Sequence, residues 1–168
     1  MNKPILNIND LEFMDWGQGE RFAARFGLIS RRIGANGLGY NLTVVPPGKR
    51  AFPFHSHRVN DEMFFIVSGS GQIRIGDKLW DIREGDVIAC PPGGPETAHQ
   101  IINNSDADLE YLAVSTTMSP EVAEYPDSDK VGVIMELEDS KDGMPEIWRL
   151  MMKSESTQVD YWEGEDTD

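Results

Sequence analysis

Between residues 22 and 116 the chain alternates short β-rich runs with glycine- and proline-based turn signals, and no stretch of helical periodicity interrupts them. The turns are Gly34-Ala35-Asn36-Gly37, Pro46-Pro47-Gly48, Gly69-Ser70-Gly71, Gly76-Asp77, Glu84-Gly85-Asp86, the run from Pro91 to Pro95, and Asn103-Asn104-Ser105-Asp106. Glycine reaches positive φ without steric cost, and a proline pair cannot donate to a ladder, so each signal ends one strand and starts another. Residues 22–33 and 38–45 predict a first hairpin. The runs at 52–57, 62–67, 72–75, 79–82, 87–90, 99–102 and 109–116 follow it. Many short strands at this spacing predict an all-β antiparallel sandwich or barrel.

At 168 residues the chain has room for one well-buried domain and not for two ordinary ones. Residues 1–20 are polar with scattered apolar groups (Ile5, Leu6, Leu11, Phe13, Trp16), which suggests an N-terminal arm lying on a barrel formed by residues 21–118. Residues 119–153 form a C-terminal extension. It begins as an acidic loop with a helix start at Ser119, and two further strands over 130–137 and 146–152 are joined by residues 138–143. Trp148, Leu150, Met151 and Met152 would be costly to leave in water, so the second of these strands is expected to pack on the barrel or on a partner, as in a homodimer. Residues 154–168 carry six acids and no base, the pattern of a solvated, partly disordered tail.

The net charge of −14 disfavours nucleic acid and anionic membrane as partners. No window is apolar enough for a membrane span or an export leader, and the single Cys90 cannot form an internal disulfide. A cytoplasmic protein is expected, with Cys90 as a small buried hydrophobe.

Spacing begins to specify chemistry at residues 52–57. His55 and His57 are two apart, so on a strand both imidazoles face the same side and form a chelate. Four residues, Arg58-Val59-Asn60-Asp61, allow the chain to turn, after which Glu62 can face the same centre. The protein's third and last histidine, His99, follows the Pro91–Pro95 loop, where a second strand pair would bring it back.

Gly48, His55-x-His57, Glu62 and Gly69, followed by Gly85-Asp86, Pro91-x-Gly93, His99 and Asn103, resemble the two signature motifs of the cupins, which are double-stranded β-helix (jelly-roll) barrels. The first motif matches at every signature position. In the second, five residues separate Gly93 from His99, a longer loop than the family's. The resemblance runs from about residue 38 to residue 116 and implies a cupin-like jelly-roll barrel, here with extra N- and C-terminal strands. It also implies a divalent transition metal (Zn, Mn, Ni or Fe) held by His55, His57, Glu62 and His99. Three imidazoles and one carboxylate form a mixed nitrogen and oxygen set that suits such ions better than Ca or Mg.

Cupins host many reactions, so the resemblance leaves function open. The leading expectation is a metal-dependent enzyme on a small oxygen-rich molecule, of the sugar or sugar-phosphate isomerase type. An Fe(II)-dependent dioxygenase and a non-catalytic small-ligand binder are the alternatives. For phosphate the candidates are Lys49, Arg50 and Arg58; for the catalytic base, Tyr40 and Glu96.

Overall fold

In the computed structural model, which describes residues 3–137, 146–153, 159 and 163–164, the chain builds thirteen strands. β1 (Met14–Gln18), β2 (Phe22–Leu28), β3 (Leu38–Val45) and β4 (Ser56–His57) come first. β5 (Glu62–Ser68), β6 (Ser70–Ile75), β7 (Lys78–Arg83), β8 (Val87–Cys90) and β9 (His99–Ile102) follow. β10 (Leu109–Thr116), β11 (Glu121–Tyr125), β12 (Lys130–Leu137) and β13 (Glu146–Lys153) complete the set. The pairing is antiparallel throughout the named strands: β1-β2-β3-β10-β5-β8 form one sheet, β7-β6-β9 a second, and β13-β12-β11-β4 a third.

Period-two alternation decides what each face of the large sheet does. Inward residues of its central strands (Val45, Phe64, Ile66, Leu109, Tyr111) join Ile73, Ile82 and Ile101 of the facing β7-β6-β9 sheet in the barrel core. Outward residues (Leu42, Leu112, Val67) pack with Leu6, Leu11 and Ile29 in a smaller cluster beneath the N-terminal segment. The central strands are thus apolar on both faces, which explains why they show so little alternation in the sequence.

The extra strands expected at both ends are present. Residues 14–18 pair with β2 from Met14↔Phe26 to Gln18↔Phe22. Trp16 reaches further, its indole Nε1 donating to Ala51 O at 3.1 Å while its ring meets Phe26 and Phe52. At the other end, β12 and β13 pair over their full eight residues from Lys130↔Lys153 to Leu137↔Glu146. The expected connection over 138–143 and most of the acidic tail lie outside the described residues.

Two local expectations differ from the structure. Residues 22–33 are not one strand: β2 ends at Leu28 and Ser30–Ile33 form a 3-10 helix. Gly34 closes it in the left-handed region (φ 75°), with its N–H bonded back to Arg31 O and Ser30 O, so this glycine acts as a helix C-cap rather than a hairpin residue. Nor is there a helix from Ser119. Glu121–Tyr125 is a strand, paired with β12 on one side and with Ser56–His57 on the other.

Candidate metal centre

His55 precedes β4 and His99 opens β9, and the two backbones pair directly: His99 N donates to His55 O at 2.7 Å and His55 N to His99 O at 3.2 Å. This reciprocal bridge places His99 beside the first histidine pair. The longer loop before His99 is fastened rather than loose, because Gly93 N donates to His57 O at 2.8 Å. Glu62, the first residue of β5, completes the group. One donor atom from each of His55, His57, Glu62 and His99 falls within 4.8 Å of all the others, so the structure brings the four expected ligands together.

The contacts within the group are those of a donor set around a common centre. Glu62 Oε2 lies 2.9 Å from His99 Nε2 and 3.3 Å from His57 Nε2. The outer nitrogens of His55 and His99 face backbone carbonyls, Nδ1 to Pro53 O at 2.8 Å and Nδ1 to Thr97 O at 3.2 Å. Protonation at Nδ1 leaves both Nε2 atoms as lone-pair donors, the arrangement by which metal-bound histidines are oriented. Both ring nitrogens of His57 are buried without an aligned hydrogen bond. Buried polar atoms are almost always satisfied, and a cation bound at Nε2 would satisfy that one.

Electrostatics prepare the same donor set. Burial, reinforced by the neighbouring His99 and His57, lowers the His55 pKa to about 4, so its ring is neutral at physiological pH. Burial also disfavours charge on His57, but the carboxylates of Glu62, and then Glu121, outweigh it and raise its pKa. At Glu62 burial opposes ionisation, yet the adjacent His57 and His99 rings outweigh it and hold the carboxyl well below the usual range. Neutral imidazoles and an ionised carboxylate are the ligand forms a transition metal requires.

Glu121 is the site residue that the sequence did not reveal. Its buried carboxylate accepts from the backbone N–H groups of Arg58 (3.1 Å), Val59 (3.2 Å) and Asn60 (3.0 Å), and from the Asn60 side chain. The same carboxylate stands 3.4 Å from His57 Nδ1. The available signal was the alternation Glu121-Val122-Ala123-Glu124-Tyr125, which suits a strand.

The group lies at the base of a cavity of about 250 Å³ whose walls include Asn41, Phe52, Gln100, Ala113 and Tyr125. Tyr125 stacks on His55, with ring centroids 6.0 Å apart and planes inclined by 20°. A second opening of about 190 Å³ reaches His57 and Glu62 from the side of β12 and β13, past Thr116, Ile134 and Ile147.

The other expected site residues fall elsewhere. Tyr40 packs in the outer cluster with Leu11, Ile29 and Leu42; its neighbour Asn41 takes the inward place, as period-two alternation dictates. Glu96 braces its own loop, accepting from Gly94 N at 2.9 Å. Lys49 donates to Glu20 O, and the Arg50 backbone joins residues 21 and 23. Arg58 is paired with Glu124, at 2.6 and 2.8 Å. None of Tyr40, Glu96, Lys49, Arg50 or Arg58 lines the cavity above the histidines.

Two facing sheets closed around three histidines and a glutamate define a double-stranded β-helix with a candidate metal site. Residues 41–115 match the family described as Cupin domain, and the chain is therefore a cupin-fold protein. The structure is similar to that of a sugar phosphate isomerase of a cupin superfamily from Silicibacter pomeroyi. The TM-score is 0.70 and the identity 25%, over 85% of this chain and 96% of that one. Over 70 residues the sequence is 34% identical to an oxalate-binding protein of Thermotoga maritima, covering 42% of this chain and 54% of that protein. Over 72 residues it is 29% identical to an uncharacterised protein of Methanocaldococcus jannaschii, covering 43% and 54%. The chain thus spans about half the length of the curated relatives it matches. Among the described residues no helix is long and apolar enough to cross a membrane.

Proposed function

We propose that this chain is a metal-dependent enzyme acting on a small oxygen-rich molecule, with sugar or sugar-phosphate isomerisation as the reaction class. The observation that carries this reading is the set His55, His57, Glu62 and His99 gathered within 4.8 Å at the base of a cavity of about 250 Å³. The likeness to the sugar phosphate isomerase from Silicibacter pomeroyi supports the same class. A divalent transition metal on these ligands would polarise a carbonyl and acidify the adjacent C–H.

The chain's own residues supply orientation and exclusion of water. Asn41 Oδ1 accepts from Thr43 Oγ1 at 2.7 Å, which fixes the amide and leaves its N–H groups as donors. Gln100 Nε2 donates to Phe52 O at 2.7 Å, which leaves its carbonyl as an acceptor. One fixed donor and one fixed acceptor suit a molecule rich in hydroxyl groups. Phe52, Ala51, Ile101 and Ala113 form an apolar wall. Outside the ligands, the lining groups that carry a transferable proton are Tyr111, whose phenol is pushed up by full burial, and Tyr125. Tyr125 is the proton carrier of this reading.

The test is incubation of metal-loaded protein in D2O with a panel of aldoses, ketoses and their phosphates. Deuterium at the carbon next to the carbonyl, followed by NMR and dependent on metal, supports the reading; its absence across the panel counts against it. A second reading, a non-catalytic binder, is favoured by the lack of any lining carboxylate or lysine outside the ligand set among the described residues. Metal-dependent binding without exchange would select it.

A further inference from the structure

The matched cupin domain ends at residue 115, yet Tyr125 stacks on a metal ligand. The strand register shows what else the extension brings to that face. Ala123 is opposite His57 on one side and Gly132 on the other, and Gly132 is opposite Met151. Directly opposed residues project to the same face of a sheet, and alternate residues along each strand follow them. Tyr125, Lys130 and Arg149 therefore share the face that carries His57.

The small residues in this row let the tyrosine lie across it. A Cβ on Gly132 would stand 2.7 Å from Met151 Sδ and 3.6 Å from Tyr125 Cε2. Two cations share that face: Lys130 is directly opposite Tyr125, with its Nζ 5.3 Å from the ring centroid, and Arg149 is opposite Ile134, two residues along β12 from Gly132.

Neither cation is neutralised by a described residue. Among the described residues Arg149 and Lys130 have no ion pair or side-chain hydrogen bond, whereas the acids near them are engaged: Glu136 with Arg31, Glu124 with Arg58, Asp127 with Arg74. In a chain of net charge −14, which repels anions at long range, an anionic ligand needs local cations at its binding site. Within the matched cupin domain, Lys49 and Arg58 are already committed to Glu20 O and Glu124.

We propose that the C-terminal hairpin supplies an anion subsite to the metal pocket: Arg149 and Lys130 hold the phosphate of a substrate whose oxygens reach the metal centre past Tyr125. This rests on the sugar-phosphate form of the function proposed above, and it makes the extension the element that selects phosphorylated over neutral sugars. A guanidinium and an ammonium contribute planar and point-charge contacts to a phosphate.

The experiment is calorimetric titration of manganese-loaded protein with D-arabinonate and with 5-phospho-D-arabinonate, acids whose carboxylate and neighbouring hydroxyl chelate metals. The wild type should bind the phosphorylated acid about tenfold or more tightly than the other. In the double variant Arg149→Gln, Lys130→Gln that preference should disappear, while bound manganese and affinity for arabinonate stay as in the wild type. Both side chains are at least partly exposed, and retained manganese verifies the fold. Equal binding of the two acids by the wild type, or a preference that survives in the variant, overturns the subsite while leaving the metal chemistry intact. Failure of both acids to bind manganese-loaded wild type overturns the functional reading and the subsite with it.

Discussion

Glu121 and His57 stand on adjacent strands with a carboxylate oxygen 3.4 Å from the imidazole Nδ1. That carboxylate also accepts three successive backbone N–H groups, at residues 58, 59 and 60. One side chain thus orients a metal-facing imidazole and holds the turn that carries the chain to Glu62. Replacing Glu121 by Gln keeps an acceptor for the turn and removes the charge facing His57. Partners of metal-bound histidines typically contribute about 10–100-fold in affinity. Glu121→Gln is therefore expected to lower metal affinity by about that factor with a near-wild-type circular dichroism spectrum, as measured by competition with a chelator. Unchanged affinity would remove Glu121 from the site.

The residues of the candidate metal centre were legible because their information is local: two histidines two apart, a turn, a carboxylate opening a strand, and a lone third histidine. Tyr40 falls outside the cavity for a different reason. Whether a strand residue faces the barrel or the outer cluster depends on a one-residue phase, and both faces of β3 are apolar, so Leu42, Val44 and Val45 carry no phase signal. Asn41 could be placed only once its pairing with Ala113 was known. Glu121 and Arg149 were illegible for the same reason. Their roles come from pairing across β11, β12 and β13, over contacts distant in sequence, and nothing in an acidic run such as Glu121 to Asp129 marks which carboxylate is buried.

Acidification should act on the metal-free protein through His55 and His57 in opposite senses. The folded-state pKa of His55 is about 4, below the ordinary value near 6.5. The unfolded chain therefore takes up that proton first, and stability present above about pH 6.5 is lost as the pH falls toward 4. His57 is raised instead; its contribution is full below about 6.5 and is lost as the pH rises through its folded value. Metal binding needs His57 neutral, so affinity should increase with pH across the neutral range, with about one proton released per metal below the raised pKa. Calorimetry in buffers of differing ionisation enthalpy measures that release, and binding without proton release at pH 6 would contradict it.

Metal loading should raise thermal stability, since the site is assembled from residues 55, 57, 62 and 99 only in the folded chain. At a free metal concentration one hundred times the Kd, the gain is about 2.7 kcal/mol. Glu62→Gln and His99→Ala should abolish the shift. A melting temperature insensitive to Mn, Ni, Zn and Fe, in protein purified without chelators and found metal-free by elemental analysis, would reject the metal centre.

Asn103 offers a test of the fold independent of the metal. It is fully buried; its Nδ2 donates to Val45 O and Ala107 O at 2.7 Å each, and its Oδ1 accepts from Ser105 N at 3.0 Å and Ser105 Oγ at 2.7 Å. The side chain thereby clamps the turn between β9 and β10 to the end of β3. Asn103→Ala removes the side-chain donor to Val45 O and the acceptor for Ser105 N and Oγ, at about 1–3 kcal/mol for each buried group left unsatisfied. A loss of roughly 2–4 kcal/mol in denaturant unfolding is expected, whereas a change below about 0.5 kcal/mol would show that water replaces the clamp.

The last prediction concerns β13. Among the described residues it is the outermost strand of its sheet, and Ile147, Trp148, Leu150 and Met151 are all exposed. Large apolar groups on both faces of an unpaired edge invite pairing with another chain. We propose that two copies associate through this strand as a homodimer. The outward row, Trp148 and Leu150, would be buried against the second copy, while Arg149 and Met151 keep the face that they share with His57. Sedimentation at micromolar concentration should show a dimer, and Trp148→Glu with Leu150→Lys should yield a folded monomer that still binds metal, because no metal ligand lies on β13. A wild-type monomer at that concentration would sink the dimer and leave the metal centre and the phosphate subsite standing.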